Sequence, residues 1–291
     1  MPNPALIPTF LRELLGQRTF PREPEPSLVM DDPEQVAAYA EAGRIDGVMA
    51  AAYLFHSARI TQVIQGCRTV VDLGCGPATQ LGQIARLNPA IDFLGVDLSA
   101  DMLQDARAHI RDLGLDNVRF MEGNVTSLGS IPSHSADAVI STMALHHLPR
   151  LDDLRDCFRE IRRIMSEGAC CYLTDFTRLK SLKSVLFFAY MNRKYQPHLF
   201  SLDYERSLRA AFELEEFRCL AAEELPEHVS VVSTFKVPFL TVIKSADHAL
   251  PDDLRTSLRE MRRELKPRYR RDLDDLRIFF RLGGLRNDPF S

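Results

Sequence analysis

The stretch TVVDLGCGPATQ, Thr69 to Gln80, sets a carboxylate, Asp72, two residues ahead of a glycine pair, Gly74 and Gly76. The pair falls where a β-branched run gives way to a helical one. Such a turn lets the backbone approach a ligand closely and points the first N–H groups of a helix at it. A dinucleotide site would want a third glycine where Thr79 stands and a backbone donor where Pro77 has none. It would also set the negative charge of Asp72 beside a pyrophosphate. The same residues suit S-adenosylmethionine. Asp72 can meet its ammonium directly or through water, the glycines admit its amino-acid tail, and the helix dipole favours its carboxylate. Asp97, about twenty residues on, can accept from both ribose hydroxyls, a role it would also fill for a dinucleotide. Leu98 and Met102 of GVDLSADML offer apolar walls for adenine, and Asn124 and Val125 of EGNVTSL stand at its edge.

From Val70 onward the elements that position these residues alternate. TVVDLG, IDFLGVDL, VRFMEG, ADAVISTMA and ACCYLTDF read as strands, with helical patterns between most of them. That rhythm predicts an α/β, doubly wound, mostly parallel sheet covered on both faces, with ligands beyond the carboxyl ends of the strands. His146 and His147 follow the fourth strand in STMALHHLP, and Asp175 ends the fifth. These are the candidate catalytic groups. A sulfonium methyl is already activated, so alignment and water exclusion do most of the work, and a base is needed only when the acceptor must lose a proton. Adjacent residues on a turn diverge, so at most one histidine is expected to face the acceptor.

Taken together, VDLGCGPA, GVDLSADML and DAVISTMALHHL resemble the seven-stranded class I S-adenosylmethionine-dependent methyltransferases, in particular the small-molecule branch of ubiquinone and menaquinone biosynthesis. The resemblance runs from about Thr69 to Phe176. It implies a sheet of order 3-2-1-4-5-7-6 with the seventh strand antiparallel, which the closing hairpin HVSVVSTF and FLTVIKS fits, and it implies S-adenosylhomocysteine as product. Ser141, at the end of the fourth strand, completes the expected cofactor set. One departure is Asn124, where the family often has an acid accepting from the adenine amino group.

The resemblance divides the chain into a helical extension over 1–66, a core over 67–246 with a substrate lid at 177–204, and a charged helical extension over 247–291. In the first extension, Asp32, Pro33 and Gln35 read as a helix start and Tyr39 as a contact near the cofactor mouth. Tyr53 reads as core packing. In the lid, Arg178, Lys180 and Lys183 can attract an acidic acceptor, and Tyr190, Asn192, Tyr195, His198 and Tyr204 can line it.

A net charge of −4 gives no general footprint for nucleic acid, and the arginines after Pro251 are interleaved with acids. They suit a solvated or dimer-forming face, and a homodimer through the terminal helices is open. The expected acceptor is therefore a small molecule. RNA or protein methylation, a non-catalytic cofactor-binding assembly protein and an oxidoreductase stand as alternatives. No apolar run approaches the ~20 residues of a membrane span. The six cysteines form no metal-ligand spacing, so no metal is expected and the thiols read as reduced, in the cytoplasm.

Overall fold

The β-branched and apolar residues of Thr69–Leu73 make β1 an interior strand of a seven-stranded sheet. The computed structural model describes residues 6–27, 34, 42–43 and 47–291. Strands β2 (Asp92–Asp97), β3 (Val118–Glu122), β4 (Ala136–Thr142), β5 (Met165–Phe176), β6 (Ser230–Ser233) and β7 (Leu240–Lys244) complete it. Their order is β3-β2-β1-β4-β5-β7-β6, as the resemblance implied. The first five strands run parallel, and β7 is antiparallel to both neighbours. Asp72 stands opposite Gly95 on one side and Ile140 on the other, so β1, β2 and β4 end together at one edge.

Alternation along the strands builds two cores. Val70, Ala138 and Tyr172 face one layer, which includes α2 (Ala50–Val63), α3 (Thr79–Leu87) and α4 (Ala100–Asp112). Val71, Val139 and Leu173 face the other, with α5 (Leu151–Ile164) and α8 (Leu214–Glu224). In α5, Leu154, Cys157, Phe158, Ile161 and Ile164 recur at helical spacing and are all buried. Each such side chain contributes about 1.5–3 kcal/mol. All six cysteines are free thiols.

The last helices, α9 (Asp252–Glu264) and α10 (Pro267–Leu282), are built into the first core. Phe280 stacks on Phe55 of α2 at 5.1 Å. The buried Arg59 donates to the carbonyls of Arg286 and Asn287, fixing the chain end. His56 bonds Tyr172 at 2.8 Å, and burial, with help from Arg59, drives its pKa down to about 3, so it packs as a neutral core histidine.

The lid contains α6 (Leu182–Tyr190) and α7 (His198–Ala210), interrupted at Pro197 as the sequence suggests. Ahead of α2, helix α1 (Leu6–Leu15) and the proline-rich stretch after it form a strap across the lid's base. Glu13 accepts from the N–H groups of Lys180 and Ser181. Arg22 donates to the carbonyls of His146, Leu148, Pro149 and Ala210. The expected helix start at Asp32 and the contact at Tyr39 lie outside the described residues. No helix among the described residues is long and apolar enough to cross a membrane.

Candidate active site

The strand ends of β1, β2 and β4 surround a cavity of about 210 Å³. Gly74, Gly76 and Asp97 line it, with Leu98, Met102 and Ser141. Asn124 and Val125 form its far edge. Gly74 has φ +71° and Gly76 φ +52°, the left-handed region that side chains disfavour. A Cβ on Gly74 would also meet the Cβ of Ala144 at 2.4 Å, whereas one on Gly76 would meet nothing within 4 Å. Gly74→Ala is therefore expected to destabilise the protein by about 1–3 kcal/mol and to weaken ligand binding at the turn. Gly76→Ala carries only the backbone strain, about 1–2 kcal/mol. Thermal denaturation of the two variants checks the order.

Asp97 Oδ2 accepts from Gly76 N–H at 2.8 Å and Oδ1 from Ser99 N–H at 2.9 Å. The carboxylate thus shapes the glycine turn and keeps a second lone pair on each oxygen for ribose hydroxyls. Ser141 Oγ donates to the Leu73 carbonyl, which ties β4 to β1. Asn124 Oδ1 already accepts from the backbone and hydroxyl of Thr126, so the adenine edge meets an occupied acceptor.

Asp72, one residue before the lining Leu73, is buried and does not itself line this cavity, and its Oδ1 has no hydrogen-bond partner. Burial, followed by the charge of Asp97, pushes its carboxyl up to about 7. A buried carboxylate without a donor is costly, and a cationic ammonium is the group that relieves it. A pyrophosphate would aggravate it. The donor set therefore fits S-adenosylmethionine: Asp72 for the ammonium, the turn for the amino-acid tail, Asp97 for the ribose, and Leu98 and Met102 for the adenine.

A second cavity, of about 270 Å³, shares Tyr53, Gln80, Met143 and His147 with the first. Apolar side chains dominate it, among them Phe10, Phe176, Phe188 and Phe239. Met143 sits in the shared wall with φ +53°, a strained backbone held by its N–H bond to the Thr174 carbonyl.

The two histidines occupy a 3₁₀ turn, Leu145–His147, after β4. Asp175, fully buried, accepts from the His146 backbone N–H and lies 2.7 Å from His146 Nδ1. Its position favours Nδ1 as the protonated nitrogen, with Nε2 turned to within 3.9 Å of Glu25 Oε1. His146 lines the second cavity and His147 lines both. At most one was expected to face the acceptor, and both rings reach the second cavity. Their rings lie 4.3 Å apart with a 35° tilt, because both turn toward Glu25 of the strap. Asp175, expected as a catalytic group, lines neither cavity, and its contact with that turn is through His146.

Glu25 accepts from Ser207 at 2.9 Å and pairs with His147 Nδ1 at 2.9 Å. Burial works to raise its carboxyl, but the His147 hydrogen bond and charge hold it down at about 2. Burial likewise works to lower His147, and the bond and charge of Glu25 outweigh it, so His147 is raised. The pair forms whole above the ordinary carboxylate range and is lost as pH climbs through the elevated histidine value. Glu25→Gln is expected to cost about 1–3 kcal/mol near pH 6, with the deficit shrinking toward pH 9. Paired unfolding curves at the two pH values check this. Among the described residues, Glu25, His146 and His147 bring ligand-type atoms within 4.8 Å of one another, a grouping these hydrogen bonds account for.

Of the other lid candidates, Asn192 and Tyr204 reach the second cavity. The rest are spent elsewhere. Arg178 pairs with Glu213, Tyr190 donates to Glu205, and Tyr195 is exposed beneath the Arg268 guanidinium. His198 is exposed at the start of α7. Tyr53, read as core, lines both cavities. Glu25 and Arg22 gave no sequence signal, because they stand in a proline-rich stretch with no periodicity.

Residues 65–198 match a family model described as a methyltransferase domain. An uncharacterized methyltransferase, YcgJ of Bacillus subtilis, is 31% identical over 108 residues, 36% of this chain and 40% of that protein. The chain thus matches well under half of that relative's length. The demethylmenaquinone methyltransferase of Listeria monocytogenes is 25% identical over 189 residues, 64% of this chain and 75% of that protein. Among solved structures, the plantazolicin methyltransferase BpumL with S-adenosylhomocysteine superposes with TM-score 0.56 at 15% identity, covering 81% of this chain and 88% of that one. That likeness speaks to the fold.

Proposed function

We propose that the chain, whose residues 65–198 match a methyltransferase domain, works as a class I S-adenosylmethionine-dependent methyltransferase and methylates a small-molecule acceptor held in the larger, apolar cavity. The observation that carries the proposal is the wall common to the two cavities, Tyr53, Gln80, Met143 and His147, which brings a cationic-donor site and an acceptor site to one boundary. When bound, the cofactor supplies a methyl group on a sulfonium.

The protein's own residues supply the rest. The glycine turn and Asp97 fix one end of the site, and the aromatic walls of the second cavity exclude water from the other. Asp175 holds His146 in one tautomer, so Nε2 can take a proton from an acceptor that must lose one. Glu25 and Arg22 hold the turn that carries the histidines against the lid.

An RNA reading gains no support from the arginine-rich end. Arg262 and Arg277 there are consumed by Asp274 and Asp288 within the chain. Incubation with S-adenosylmethionine and separate panels of small metabolites, RNA and protein tests the proposal. S-adenosylhomocysteine release is expected with the small-molecule panel. Release only with RNA or protein contradicts it.

A further inference from the structure

We infer that the acceptor is a cationic amphiphile, an amine or similar cation on an apolar body, recognised by the carboxylates of Asp203, Asp272 and Asp275; the inference rests on the proposed assignment of the second cavity as the acceptor site. The cavity's wall is aromatic and aliphatic over most of its area, yet its formally charged residues, the histidines aside, are all acids. Among the described residues no lysine or arginine lines it. Asp203 comes from α7, at the end of the cavity near His146 and His147. Asp272 and Asp275 come from α10.

Among the described residues, neither Asp203 nor Asp272 has a hydrogen bond or a salt bridge. Arg268 and Arg271 act on Asp272, and Arg206 with the two histidines on Asp203, across space without closing an ion pair. Arg268 bonds Asn192 Oδ1 and stacks on Tyr195, and Arg209 pairs with Glu23 and Glu205. Burial raises all three carboxyls and outweighs the cations near them, His147, His146 and Arg206 at Asp203, Arg268 and Arg271 at Asp272, and Arg271 at Asp275. A fold gains nothing in stability from such groups, and a ligand that brings positive charge is stabilised by each of them. An anionic acceptor meets three acids here, and the raised histidine of the lining, His147, is already paired with Glu25. Of the basic lid residues that favoured one in the sequence, Arg178 is turned to Glu213, and Lys180 and Lys183 do not line the cavity.

The test uses the full chain with S-adenosylhomocysteine present and three probes of one shape: 4-phenylbutylamine, 4-phenylbutanol and 4-phenylbutyrate. Calorimetry is expected to show the amine bound about tenfold more tightly than the alcohol, with the carboxylate weakest. Asp203→Asn and Asp272→Asn together are expected to erase that preference while S-adenosylhomocysteine affinity is unchanged. Equal binding of the three probes, tighter binding of the carboxylate, no binding of the amine, or a preference that survives the double substitution overturns the inference. Failure of S-adenosylhomocysteine itself to bind would instead strike the cofactor assignment, so the two failures are distinguishable.

Discussion

Asp72→Asn is expected to weaken S-adenosylhomocysteine binding by about 10- to 100-fold, the worth of a charge-assisted hydrogen bond in a buried site. The pH dependence is the sharper part of the expectation. Burial and the neighbouring Asp97 leave the Asp72 carboxyl titrating at about 7 in the free protein. An acid whose folded value is raised holds its proton where the unfolded chain has released it. Its protonated form therefore favours the free fold at low pH, and that contribution is lost as pH rises from about 4 to 7. An ammonium ligand needs the ionised form and opposes the trend. Affinity is then expected to fall about tenfold for each pH unit below 7, and to level off above it. The asparagine variant loses the slope. Calorimetric titrations at pH 5.5, 7 and 8.5 on both proteins measure it, and a wild-type affinity flat across that range would remove Asp72 from the account.

The second large effect concerns the histidine turn. His146→Gln is expected to lower kcat by about 10²- to 10⁴-fold on an acceptor that must lose a proton, with little change in cofactor affinity. Asp175→Asn should lower the same constant by a different route. An amide can donate to Nδ1, which moves the proton to Nε2 and turns the basic lone pair away from the cavity. Its pH–rate profile would lose the limb that belongs to the histidine, a change that loosened packing alone does not produce. A His146→Gln enzyme within about threefold of wild type, with such an acceptor, would reduce the dyad to a structural tie.

How much of this was legible in the sequence depended on whether a residue's role was local. The glycine turn, Asp97, Leu98 and Met102 follow from short-range rules, since a strand, a turn and a helix N-terminus must follow one another in the chain. The strand order, by contrast, is what the family resemblance implies. The closing hairpin showed itself by alternation. Other roles were set by contacts between distant parts of the chain. Glu25 and His147 are a half-buried ion pair only because the strap returns across the lid, and nothing in PREPEPS announces that. Arg178 looked available until Glu213, from the segment after the lid, was found paired with it. Asp272 and Asp275 looked like part of a solvated charged helix, since periodicity alone could not say that α10 closes over the acceptor cavity. Asp175 was found as a residue, but its hydrogen bonds to His146 become visible only in three dimensions.

A crystal structure with S-adenosylhomocysteine bound tests the central claim most directly. The account predicts the ligand's amino group within reach of Asp72, its ribose on Asp97, and its sulfur at the wall formed by Tyr53, Gln80, Met143 and His147, facing the aromatic cavity. A ligand seated elsewhere, or one whose sulfur points away from that wall, contradicts it.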